Sequence, residues 1–242
     1  MTGSILLPMP KKERSSFARS VSRWVGLILA GLVIFSILQV VSMRFLNPPT
    51  TPLTAYHRLR GKERTFHWLP LSKISPFLQQ AVIAAEDQLF LSHRGFDWKQ
   101  IEEALQEYRE RGRRRGASTI TMQVARNLYL WQGRSWLRKG LEAYYTALIE
   151  LIWPKWRIME VYLNMAEWGP GIVGAEVAAR RYFGCSAGAL TKQQAALLAA
   201  VLPNPHRWSP GHPTRYIRER QATILRQMNW FAPLMKTLHD NG

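Results

Sequence analysis

The chain holds 242 residues, with 33 Lys and Arg against 16 Asp and Glu, for a formal charge of +17. Its hydrophobic fraction of 47% excludes a disordered chain, and its single cysteine, Cys185, excludes an intramolecular disulfide. The length leaves room for one ordinary domain with a sizeable core.

Residues 1–23 form a basic tail in which Lys11, Lys12, Arg14, Arg19 and Arg23 face one acid, Glu13. Residues 24–43 are an almost uninterrupted apolar run of about 20 residues, the length a helix needs to cross a bilayer. The excess of bases ahead of it predicts a cytoplasmic N-terminus and a domain on the far side. A cleaved signal peptide competes with this reading, but the run is long for one and carries no clear small-x-small cleavage site. An uncleaved signal anchor is therefore expected, making a single-pass protein with its domain held on the outer face of the inner membrane. The tail accounts for five bases and one acid, so about +13 remains on the rest of the chain. Such a surface usually meets nucleic acid. A domain outside the inner membrane meets none, and its anionic partners are lipid head groups, phosphate-bearing lipids and acidic polymers.

Residues 44–74 read as a connector, opened by Pro48, Pro49 and Pro52, and residues 75–242 as one mainly α-helical domain. Ser75-Pro76 predicts a helix start, with the helix running to about Leu91. Asp97 with Gln100 resembles a capping box and opens a second helix to about Arg111. Gly112 and Gly116 bracket a basic loop, Arg113-Arg114-Arg115, and a third helix covers about Thr119 to Leu130. Ser135 caps a fourth, with Leu137, Leu141, Tyr144, Leu148 and Leu151 on one face, and Pro154 ends it. A fifth runs from Lys155 to about Met165, before Gly169-Pro170-Gly171 turns the chain. Ala175 to Phe183 makes a sixth. Thr191 with Gln194 caps a seventh, which Pro203 and Pro205 end, and Pro213 to Trp230 is the last.

Five stretches could carry chemistry. Glu86 and Asp87 are adjacent carboxylates in an apolar helix, about 100° apart around its axis, so one can react while the other orients a neighbour. A carboxylate against apolar surface has its charged form disfavoured, the setting of a general base or acid. Local ion pairs would explain the two acids equally well. The stretch from Gly116 to Gln123 feeds small hydroxyl residues into a helix N-terminus, where free N–H groups suit phosphate, although an ordinary cap fits as well. Arg134, Arg138, Lys139 and Glu142 form the third, with Arg138 and Glu142 at i and i+4 beside the apolar stripe. The fourth is the amphipathic stretch Lys155 to Asn164, and the fifth runs from Ala178 to Gly184.

In order and spacing these stretches resemble the five motifs of the peptidoglycan glycosyltransferase family, the domain found at the front of bifunctional penicillin-binding proteins. Glu86-Asp87 with Phe90, His93, Gly95 and Asp97 matches the first. Gly116, Ser118-Thr119-Ile120-Thr121 and Gln123 match the second, and Arg138-Lys139 with Glu142 the third. Ile158 to Asn164 and Ala178 to Gly184 match the fourth and fifth. Met122, Arg126 and Cys185 depart from the family's usual glutamine and lysines. With no Ser-x-x-Lys motif in the chain, the resemblance is to the monofunctional biosynthetic branch.

The resemblance implies a lysozyme-like helical fold and an enzyme that joins lipid II to a growing glycan strand through β-1,4 bonds. Undecaprenyl pyrophosphate would leave with inversion of configuration. It implies Glu86 as general base and Glu142 as second catalytic carboxylate, able to hold a divalent metal or an arginine. Arg126, Arg134, Arg138 and Lys139 would clamp the pyrophosphate, and Ser118, Thr119 and Gln123 would line the same cleft. Asp87, His93 and Asn164 would support the scaffold. A divalent ion such as Mg2+ or Mn2+ is expected to assist, and no organic cofactor is. Expected partners are lipid II, the glycan strand, the membrane, and cell-wall synthesis or division proteins. Two rivals explain part of this: a lytic enzyme of similar fold, which needs no pyrophosphate clamp, and a non-catalytic anchored envelope-binding protein.

Overall fold

The computed structural model describes residues 11–48, 67–112, 116–131, 133 and 135–231, with the side chains of 11–16 excepted. The far N-terminal tail, much of the connector, the basic loop Arg113–Arg115 and the clamp candidate Arg134 lie outside the described residues. The chain divides into two units, Met1–Ser42 and Met43–Gly242. Helix α1, Lys11–Phe45, contains a stretch from Phe17 to Phe45 with a mean hydropathy of 2.5, long and apolar enough to cross a membrane.

The second unit is mainly helical, as expected. It contains α2 (Pro76–Glu86), α3 (Trp98–Arg111), α4 (Ile120–Tyr129), α5 (Trp136–Ile152), α6 (Lys155–Met165), α7 (Ala175–Phe183), α8 (Lys192–Val201) and α9 (Arg215–Phe231). Two short strands, β1 (Glu167–Gly169) and β2 (Ile172–Val173), pair antiparallel across the Gly169-Pro170-Gly171 turn, Glu167 opposite Val173. Two helices form the centre. In α8 every residue from Ala195 to Val201 is buried, between α2 and α9. In α6 every residue from Arg157 to Met165 is buried, against α4 and α7. A helix apolar all round belongs in a core. In α6 the buried polar residues each have work: Asn164 bonds both N and O of Leu69, and Glu160 accepts from the N–H of Leu71. Arg157 caps the carbonyls of Met43 and Leu46 and pairs with Glu160.

The caps form as the sequence indicates. Asp97 accepts from Gln100 N–H, Thr119 from Met122 N–H and Ser135 from Arg138 N–H, and Thr191 with Gln194 makes the full box. Ser75 differs: it precedes the first helical residue, but its hydroxyl donates to the Leu190 carbonyl and stitches α2 to the approach to α8.

Two expectations are corrected. Helix α2 stops at Glu86 rather than near Leu91, because Asp87 leaves helical geometry (φ −161°, ψ 79°) to satisfy partners on other segments. The stripe Leu137, Leu141, Tyr144, Leu148 and Leu151 is not the buried face of α5. That face carries Glu142, Thr146 and Ile149, while Leu137 is 69% and Leu151 83% exposed. The core side of α5 is built around a carboxylate, so apolar periodicity points to the wrong face.

Gly95 shows how tightly this region is packed. Its φ is +88°, and an added Cβ would sit 2.9 Å from both Glu150 Cγ and Thr146 Cγ2. Gly95→Ala is expected to lower stability by about 2–4 kcal/mol, measured by denaturant unfolding of the purified protein.

Candidate active site

The site is assembled where the end of α2 meets the start of α4. Asp87 is buried. Its carboxylate accepts from the N–H of Ile120, the first residue of α4, at 2.9 Å, and holds His93 Nε2 at 2.8 and 3.0 Å. Gly95 N–H donates to His93 Nδ1, so the ring carries its proton on Nε2 and donates it to Asp87. Thr119 is buried too. Its hydroxyl donates to the Gly95 carbonyl and caps α4, which commits it to the scaffold rather than to the cleft. Ser118 is half-buried just ahead of the cap. Met122 is buried in the core.

This junction presents Glu86 to α4. Glu86 Oε2 accepts from Gln123 Nε2 at 2.9 Å. Burial raises its pKa above the ordinary carboxylate value, while the Gln123 hydrogen bond and the nearby Arg220 pull it down. The buried phenol of Tyr162, on α6, is held well above its usual pKa by burial and by the negative charge of Glu86.

Glu142 is buried on α5. Arg138 Nη1 donates to its Oε2 at 3.1 Å, and Lys139 Nζ to its Oε1 at 2.5 Å. A polar cavity of about 450 Å3 lies alongside, lined by Gln123, Arg126, Arg138, Tyr162, Glu167 and His206 among others. Its wall therefore carries one partner of each carboxylate, Gln123 for Glu86 and Arg138 for Glu142. Lys139 is not among the lining residues, and Asn164 serves the Leu69 segment instead. The donor set does not fit a metal held by the protein. Both Glu142 oxygens already face cations, and among the described residues no three His, Cys, Asp or Glu cluster.

A family model described as Transglycosylase matches residues 52–229. The chain belongs to that family. The "Biosynthetic peptidoglycan transglycosylase" of Rhodospirillum centenum is 54% identical over 207 residues, 85% of this chain and 90% of its own length. The proteins of the same name from Ectopseudomonas mendocina and Shewanella oneidensis are 50% identical over 216 residues and 48% over 215. Each alignment covers 87% of this chain, and 89% and 92% of the respective relative.

In this transglycosylase two features escape the sequence reading. Arg220 on α9 reaches Glu86, at 3.9 Å. The signal was its register: Ile217, Ile224, Met228 and Phe231 are buried along α9, and Arg220 stands in line with them. His206 pairs with Glu167 at 3.0 Å on the cavity wall, and nothing in the spacing of these residues announced it.

Removing Glu142 leaves a largely buried guanidinium without its anion, whereas removing Lys139 leaves an ion pair intact. Glu142→Ala is expected to destabilise by about 3 kcal/mol and Lys139→Ala by under about 1 kcal/mol, compared by denaturant midpoints at constant slope.

Proposed function

We propose that this transglycosylase polymerises lipid II into β-1,4-linked glycan strands, with Glu86 as general base. The observation that carries this reading is the polar cavity whose wall holds Gln123 on one carboxylate and Arg138 on the other.

The 4-hydroxyl of the incoming sugar attacks the anomeric carbon of the growing chain. Its proton passes to Glu86, the bond from the anomeric carbon to phosphate breaks, and the pyrophosphate leaves with the electron pair. The α-linked donor becomes a β bond, so configuration inverts. Burial lifts the Glu86 pKa above the ordinary carboxylate value, and the Gln123 amide holds its Oε2. Arg126 and Arg138 line the cavity and would neutralise the departing pyrophosphate. Glu142 keeps Arg138 oriented. Arg138 and Lys139 balance the charge of Glu142, one on each of its oxygens. A lytic enzyme would have little use for such a cationic wall.

The apolar helix α1 supports a membrane anchor with the basic tail in the cytoplasm and the domain outside. Trp98, Trp136, Leu137 and Leu151 stand exposed on the domain, which suits work at a lipid surface.

With purified protein and lipid II, Glu86→Gln is expected to cut polymer formation by about 10²-fold or more with an unchanged circular dichroism spectrum. Full activity in that variant would overturn the assignment. Removing residues 1–42 should lower the rate on lipid II in vesicles far more than in detergent, and equal losses in both would show that the anchor does not concentrate enzyme on substrate.

A further inference from the structure

Arg220 lies on the last helix, outside all five motif stretches. Its neighbours in the buried register of α9, Ile217 and Ile224, are apolar, yet this position holds a guanidinium. Its Nη2 donates to the carbonyl of Ala85 at 3.2 Å and lies 3.9 Å from Glu86 Oε1. Its Nε is buried with no partner among the described residues. An unmet buried donor costs about 1–3 kcal/mol, so packing alone does not account for an arginine here.

We propose that Arg220 is a positioning residue for Glu86, held at the Ala85 carbonyl so that its charge faces the carboxylate without closing a tight ion pair. The inference rests on Glu86 being the base. Among the described residues, the groups that face Glu86 are Asp87 beside it, Gln123 and Arg126 from α4, Tyr162 from α6 and Arg220 from α9. Gln123 is neutral, and the buried phenol of Tyr162 carries no charge to offset. Two cations remain. Arg126 lines the cavity, where a pyrophosphate would draw on its charge. Arg220 is absent from that lining, as is Glu86 itself, and its guanidinium Nη2 is tied to the Ala85 carbonyl.

The Ala85 carbonyl belongs to the last turn of α2, where carbonyls lack helical partners and the helix end is partly negative. One guanidinium thus offsets both that end and the Glu86 charge. Without it, burial, the Asp87 charge and the helix end all favour the protonated acid, which cannot accept the hydroxyl proton. A closer contact would bind the carboxylate too firmly to act as a base. The Ala85 bond gives the guanidinium a reason to stop where it does.

The test is the pH dependence of lipid II polymerisation by the full-length protein, read from about pH 5 to about pH 9. Ionised Glu86 is the active form, so the rate rises with pH through its titration. Removing the cation raises that pKa and moves the acidic limb upward. Arg220→Gln is expected to shift the midpoint of the limb by about one pH unit, with KM for lipid II within about twofold. On the limb kcat falls roughly tenfold, and it recovers at the alkaline end. Arg220→Lys keeps the charge but not the planar fork that spans Ala85 and Glu86, so its limb should shift in the same sense by less.

A folded Arg220→Gln with an unmoved limb overturns the proposal, whatever its kcat. Should that variant fail to fold by circular dichroism, Arg220→Met, which also removes the charge, decides in its place: a limb moved upward supports the role, and an unmoved one overturns it. Glu86→Gln run in parallel separates the two claims. Activity retained there sinks the base assignment itself, whereas an inactive Glu86→Gln beside an unmoved Arg220→Gln limb sinks Arg220 alone.

Discussion

The Asp87 carboxylate is the contact on which the rest of the site depends. By accepting from Ile120 N–H it ends one helix and starts another with the same group. A carboxylate at a helix N-terminus meets both an unpaired donor and the positive end of the helix dipole. Because Asp87 turns away to make this bond, Glu86 becomes the last residue of α2. Because α4 starts where it does, Gln123 falls one turn in and meets Glu86. His93 and Gly95 close the loop between them, and Thr119 ties the Gly95 carbonyl back to the cap of α4. Glu86 is thus fixed by a neighbour whose carboxylate is taken up by Ile120 N–H and His93.

Much of this was legible along the chain, and the exceptions have a common cause. Caps were readable because a cap is a local bond between residues three apart, as at Thr119, Ser135 and Thr191. The end of α2 was not. The bond that stops it joins Asp87 to Ile120, thirty-three positions on, and local propensity contains no trace of it. The face of α5 failed for a related reason. Apolar periodicity marks the core face only where the core is apolar, and here the inward side holds Glu142 and Thr146. The five motif stretches named Gln123, Arg138 and Glu142. The Arg220–Glu86 approach and the His206–Glu167 pair join distant segments, so motif order could not reach them, and only the α9 register pointed inward at Arg220.

The two glutamates meet positive charge in different ways, and the difference matches the work each can do. Glu142 touches two cations directly, one on each oxygen, and what it offers the cavity is an oriented Arg138. Glu86 has a neutral amide at hydrogen-bond distance and a guanidinium farther off, at 3.9 Å. A base needs an ionised carboxylate whose protonated form is still accessible in the transition state. Burial disfavours its charged form, and a contact ion pair would favour that form strongly. A cation tethered to a backbone carbonyl one residue away sits between these limits. The position of Arg220 is set by α9 packing on α2, so under the proposed role the charge beside Glu86 depends on the register of a helix that carries none of the motifs.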